Sequence, residues 1–96
     1  MKAFQSDREP KNLYFTNYDR VDEEVHFQQI FTKLKADPSI SIGKKQIGPS
    51  EDYYDCKISN SPFTLCYDID YGTSVYAEDT EAIKKLLNFF NHEADR

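Results

Sequence analysis

YYDCKISNSPFTLCYDIDYG (residues 53–72) is two alternating runs around a polar break. In the first run Tyr54, Cys56 and Ile58 share one side of an extended chain. In the second, Phe63, Leu65, Tyr67 and Ile69 do. The Ser-Asn-Ser-Pro stretch between them is turn chemistry. The pattern predicts a hairpin of strands 52–59 and 62–70, closed by Gly72. Matching the two apolar sets pairs Ile58 with Phe63, Cys56 with Leu65 and Tyr54 with Tyr67, around a two-residue turn at Asn60-Ser61. A shift of one residue would set Cys56 opposite Cys66, but it would also bring Thr64 against Ile58 and Asp68 against Tyr54. Burying an unpaired carboxylate costs several kcal/mol, and a disulfide contributes roughly 2–4 kcal/mol. The apolar register is therefore expected, with Cys56 toward the core, Cys66 on the opposite side, and no disulfide between them.

Outward from the hairpin, residues 39–48 alternate weakly (Ile40, Ile42, Ile47) and read as a strand with a bulge at Gly43, followed by a turn at Gly48-Pro49-Ser50. NLYFTNY (12–18) reads as a first strand and SVYA (74–77) as a last one. Between the first two strands, Phe27, Ile30, Phe31 and Leu34 recur at helical spacing. Asp19 or Asp22 caps this helix, acids fill its first turn, and Pro38 stops it. A second helix follows residue 79, capped by Asp79 or Thr80, with Ile83, Leu86, Leu87 and Phe90 as its apolar stripe.

The order β-α-β-β-β-β-α has short links between its later strands. It predicts an α+β fold: a single antiparallel β-sheet with two helices packed on one face, in two layers. Ninety-six residues make one domain, 1–96, with the polar stretch 1–11 expected as a flexible N-terminal segment. The apolar fraction is a modest 39%, but seven Phe and seven Tyr supply large buried area per residue, so the chain is expected to fold. No apolar leader or membrane-length run is present, and a soluble cytoplasmic protein with no membrane partner is expected.

Charge is unevenly placed. Residues 51–82 hold Glu51, Asp52, Asp55, Asp68, Asp70, Glu78, Asp79 and Glu81 against Lys57 alone, and the net charge of the chain is −5. That field disfavours nucleic acid and favours a basic partner. In the hairpin register above, Thr64, Cys66, Asp68 and Asp70 share the face away from the core, beside Tyr53, Asp55 and Lys57, with Asp55 across from Cys66. Tyr53, Tyr71 and Tyr76 interleave with Asp52, Asp55, Asp70 and Glu78. Tyrosine gives contact area at low entropic cost, and carboxylates steer a cationic partner. The expected partner-binding residues are therefore Asp52, Tyr53, Asp55, Asp68, Asp70, Tyr71, Tyr76 and Glu78. The plain alternative is a solvated sheet face that keeps the protein soluble.

No catalytic or cofactor site is expected. Asp68 and Asp70 form a D-x-D too poor in oxygen ligands for a hard cation. Cys56 and Cys66 lie too far apart in sequence for a close-ligand pair, and His26 and His92 fall on separate helices and are read as surface residues. A nucleophile–base pair would have to be drawn from scattered Cys66, His26 and His92, so a non-enzyme is expected.

The hairpin YDCKI…FTLCYDIDYG and the ending SVYAEDTEAIKKLLNFF, a strand followed by a capped helix, resemble the small acidic immunity proteins that neutralise bacterial toxins. The resemblance is one of size and general form, and no residue carries over by motif. It implies a bacterial inhibitor that occludes a basic partner such as a toxin or nuclease. The alternative is a small non-enzymatic interaction domain or homodimer, paired through its outer face or through an edge strand, either the first strand or that at 39–48.

Overall fold

The computed structural model describes residues 2–93, the side chains of His92 and Glu93 excepted. Its elements are β1 (Ala3–Gln5), β2 (Asn12–Phe15), α1 (Glu23–Lys35), β3 (Ile40–Ile47), β4 (Glu51–Ile58), β5 (Ser61–Asp68), β6 (Gly72–Tyr76) and α2 (Thr80–Glu93). The strands form one antiparallel sheet in the order β1-β2-β6-β5-β4-β3. Both helices lie on one face, giving the α+β two-layer architecture.

Alternation along the strands decides what the helices cover. Leu13, Val75, Leu65 and Tyr54 stand side by side on one face, as do Phe63 and Cys56, and Ile58 and Ile40. These residues make the core with Phe27, Ile30 and Leu34 of α1 and Ala82, Ile83, Leu86 and Phe90 of α2. Burying a side chain of this size contributes about 1.5–3 kcal/mol, so this face dominates the stability. Rings fill the gaps: Phe27 lies 5.1 Å from Tyr67 and 5.9 Å from Tyr54, and Phe15 meets Phe90 edge-on at 4.9 Å.

The helix ends follow their local chemistry. Asp22 stands at the N-cap of α1, although its side chain makes no capping bond. Asp79 does cap α2, its Oδ1 accepting from the Glu81 amide at 2.9 Å.

The hairpin register differs from the expected one by two residues. Ile58 pairs with Ser61, Cys56 with Phe63 and Tyr54 with Leu65. The turn is Ser59-Asn60, with φ of 47° and 70°, the left-handed pair of a type I′ hairpin. Pro62 explains the slip. A turn at Asn60-Ser61 would place Pro62 in the hydrogen-bonded pair beside the turn, where it has no N–H to donate. Opposite Lys57 it occupies the non-bonded position. A slip of two preserves the faces because the strand period is two. Asp55 therefore opposes Thr64, and Cys66 opposes Tyr53.

Two further expectations are corrected. Strand β5 ends at Asp68, whose Oδ1 accepts from the amides of Asp70 (2.7 Å) and Tyr71 (3.1 Å), so Ile69 sits in the turn and is 69% exposed rather than in the core. The stretch 1–11, expected as a flexible segment, supplies the edge strand β1. Ala3 is buried, and the Asn91 side chain of α2 grips both of its backbone groups. Asn91 Oδ1 accepts from the Ala3 amide and Nδ2 donates to its carbonyl, each at 2.9 Å.

The opposite edge, β3, breaks register between Ile42 and Lys45. Gly43 permits this bulge, since a Cβ there would lie 2.5 Å from the Asp55 carbonyl oxygen. A bulge with Lys44 and Lys45 on one edge, and a short strand clamped by a side chain on the other, are both devices that discourage strand pairing between copies.

Candidate functional site

The second face of the sheet has no helix on it. Its central row, read across the strands, is Phe4, Tyr14, Ser74, Cys66, Tyr53 and Gln46. On one side lies the row Asn12, Tyr76, Thr64 and Asp55, and on the other Gly72, Asp68 and Glu51. Neighbouring strands lie about 4.8 Å apart and same-face positions about 6.6 Å apart along a strand. From Phe4 to Tyr53 this row therefore runs for roughly 19 Å across five strands, with Ser74 and Cys66 between Tyr14 and Tyr53. Phe4 is 44% exposed and Tyr76 40%, while Tyr14 and Tyr53 are half-buried by their neighbours on the sheet. Phe4 and Tyr14 touch, ring centroids 6.0 Å apart.

Carboxylates flank these rings. The Tyr76 hydroxyl donates to Glu78 just past the end of β6, and Lys11 Nζ holds the other oxygen of that carboxylate at 3.0 Å. These partners hold the Glu78 carboxyl below its ordinary range, the tyrosine bond foremost, and Glu78 in turn raises the Tyr76 hydroxyl. Along β4 the Glu51 carboxylate beside Tyr53 lifts the tyrosine hydroxyl to about 12. Tyr53 and Glu51, like Tyr76 and Glu78, thus stand two residues apart on the same uncovered face. Asp55 Oδ2 accepts from Gln46 Nε2 at 2.8 Å. Between Asp55, Thr64, Tyr76 and Glu78 the surface dips into a concavity of about 510 Å³, with Gly43, Pro62 and Lys57 on its rim.

Cys66 lies at the centre of the face. Its Sγ is 3.5 Å from Glu51 Oε2, and burial, followed by that carboxylate, pushes the thiol up to about 11. Cys56, in the core, is raised to about 11 by burial. Both thiols are free. They project from opposite faces of the sheet and hold almost no thiolate at neutral pH, the opposite of an activated nucleophile.

Of the residues singled out in the sequence, Tyr53, Asp55, Asp68 and Tyr76 come together on this face, with Glu78 at its margin. Asp52 does not join them. It points to the helix side, opposite Tyr67, and pairs with Lys45 Nζ at 3.4 Å. Asp70 and Tyr71 fall in the β5–β6 turn, beyond the strand that was expected to carry Asp70, and Tyr71 is 90% exposed. Gly72 (φ +82°) completes that turn in a conformation other residues rarely adopt.

Three residues of the face were missed: Phe4, Tyr14 and Glu51. Tyr14 was legible from alternation in NLYF, since Leu13 is the core residue. Phe4 was not, because its strand forms only by docking.

His26, expected at the surface, is 4% exposed. It lies four residues before Ile30 and eight before Leu34, on the buried stripe of α1. Its ring meets Phe15 edge-on, Nδ1 is 4.0 Å from Glu23 Oε2, and Nε2 has no protein hydrogen-bond partner. It borders a second concavity of 220 Å³ with Tyr18, Asp19, Gln29 and Lys33. The side chain of His92 lies outside the described residues.

Among the described residues no three or more His, Cys, Asp or Glu side chains converge as a metal site, and no helix is long and apolar enough to cross a membrane. No family model, curated protein or solved structure matches the chain.

Proposed function

We propose that this chain is a binding protein that occludes a basic protein partner with its uncovered sheet face, in the manner of an immunity-type inhibitor of a toxin or nuclease. One observation carries the reading. The face that no helix covers carries Phe4, Tyr14, Tyr53 and Tyr76, with Glu51, Asp55, Asp68 and Glu78 around them, against Lys57 and a Lys11 paired with Glu78. A face serving only solubility has no need of four rings, Phe4, Tyr14, Tyr53 and Tyr76, on one side of the sheet. Rings supply the desolvated anchor of an interface, and surrounding carboxylates speed capture of a cationic partner and reject anionic ones. The homodimer alternative is disfavoured, because both sheet edges are guarded and two copies would oppose like charges across the open face.

The test is capture from the native host's lysate with three baits: wild type, Glu51→Gln/Asp55→Asn/Asp68→Asn, and a helix-side control, Glu24→Gln/Asp79→Asn/Glu81→Gln. The amide forms keep the acceptor oxygens used by Gln46 and the Asp68 turn. A basic protein held by wild type and by the control, released by salt and lost from the open-face variant, is expected. Equal retention by all three baits, or no basic protein on any, would overturn the proposal.

A further inference from the structure

We propose that the end of the sheet bearing the β2–α1, β3–β4 and β5–β6 connections is a second contact surface. It seats exposed apolar side chains on an apolar patch, rimmed by cations, of a protein partner. The proposal goes beyond the open-face reading and does not depend on it. Register puts the three connections at one end. Tyr14 pairs with Ser74 near the close of β2, Asp68 with Gly72, Glu51 with Asp68 and Ile47 with Asp52. The four most exposed large apolar or aromatic side chains among the described residues all stand there. They are Tyr71, Ile47, Tyr18 and Ile69, each at least 69% exposed. One such side chain on a surface means little. Four at one end, on or beside connections whose usual residues are polar, mark an interaction surface. From Ile47 on β3 to Tyr18 just past β2 the row crosses four strand steps, roughly 19 Å.

The backbone beneath these side chains is fixed before binding. Asp68 Oδ1 accepts from the Asp70 and Tyr71 amides, and the Ile69 amide donates to the Ser50 carbonyl at 3.2 Å, tying one turn to the other. Asn17 closes the loop that carries Tyr18. Its Nδ2 donates to the Val21 carbonyl at 2.8 Å and its Oδ1 accepts from the Val21 amide at 3.2 Å. Connections held in this way spare the cost of ordering them on binding. Charge then selects the occupant. Residues 16–24 carry four carboxylates, 48–52 two and 68–71 two, against Arg20 as the one cation of those segments. Lys45 alongside is paired with Asp52. A second copy would set these carboxylates against their own kind, and nucleic acid or an anionic membrane is repelled. An apolar patch with a cationic rim complements both the row and its surroundings.

The probe is an amphipathic Leu/Lys peptide of about 14 residues, a helix about 21 Å long with an apolar stripe between cations. It is titrated into the intact isotope-labelled protein at low salt and read by amide NMR, beside a Gln/Lys peptide of equal charge and a Leu/Glu peptide. The largest shifts are expected at Tyr18, Ile47, Ile69 and Tyr71. The Leu/Lys peptide should bind about tenfold or more tightly than Gln/Lys, and Leu/Glu not at all. Ile69→Ser/Tyr71→Ser, at two solvent-facing positions, should weaken Leu/Lys binding about tenfold or more. Shifts confined to Tyr14, Tyr53 and Ser74 would overturn the proposal and leave the open-face reading standing. Equal binding of the Leu/Lys and Gln/Lys peptides would reduce the contact to charge and overturn it, as would no binding of either. A dimer mass that disappears in Ile69→Ser/Tyr71→Ser would put a second copy on this end and overturn it too. The wild-type shift map decides the question even where the variant fails to fold.

Discussion

Asn91→Ala should unlatch the edge of the sheet. The side-chain amide makes two hydrogen bonds to the backbone of Ala3, both of 2.9 Å, and Ala3 is buried. Each such bond contributes about 0.5–1.5 kcal/mol net, and a stranded backbone group costs more. Alanine returns about 0.5 kcal/mol in helix propensity. The balance is a loss of about 1–3 kcal/mol. At a urea slope of about 1–2 kcal/mol/M for a small domain, the midpoint should fall by about 0.5–3 M. The chain has no Trp, so unfolding is followed by far-ultraviolet circular dichroism. Amide exchange should quicken first in β1 and its partner β2, because this edge is tied down from outside the sheet. Sedimentation at high concentration should reveal self-association through the freed strand. A midpoint within about 0.3 M of wild type, with β1 amides equally protected, would show that the latch does not hold the edge.

Three other outcomes follow from the geometry. With Cys56 replaced by Ala, Cys66 should react with a disulfide reagent far more slowly than a free thiol at pH 8. Its rate should climb about tenfold per pH unit toward a midpoint near 11, because a raised thiol leaves less thiolate at any lower pH, and Glu51→Gln should quicken it; a midpoint at the ordinary thiol value would contradict the burial argument. Asn60→Gly should leave stability unchanged or raise it by up to about 1 kcal/mol, and Asn60→Val should lower it by about 1–2 kcal/mol, since the turn needs φ of 70° there; equal midpoints for the two variants in urea would count against a type I′ turn. Thr73→Val should be neutral or stabilising by thermal melting, because the Thr73 hydroxyl is buried without a protein partner; a drop of more than about 1 kcal/mol would reveal a partner for it.

The sequence by itself determined the local periods. Alternation in residues 53–68 and the stripe of Phe27, Ile30 and Leu34 follow from backbone geometry, so element types and the faces of the central hairpin were legible without coordinates. Pro62 even held the register, because a residue without an N–H excludes one of the two hairpin turns. The rest depended on contacts between distant segments. Ala3–Gln5 has too few residues to signal a strand and becomes one only where Asn91 and β2 satisfy its backbone. His26 is buried because loop and strand residues from before α1 close over it. The uncovered face needed the strand order most of all. Phe4, Tyr14 and Tyr53 are far apart in the chain and form one row only because β1 and β2 dock beside β6. Non-local pairing is set by the summed burial of the whole core rather than by any local pattern, so tertiary structure alone decided which rings and carboxylates meet.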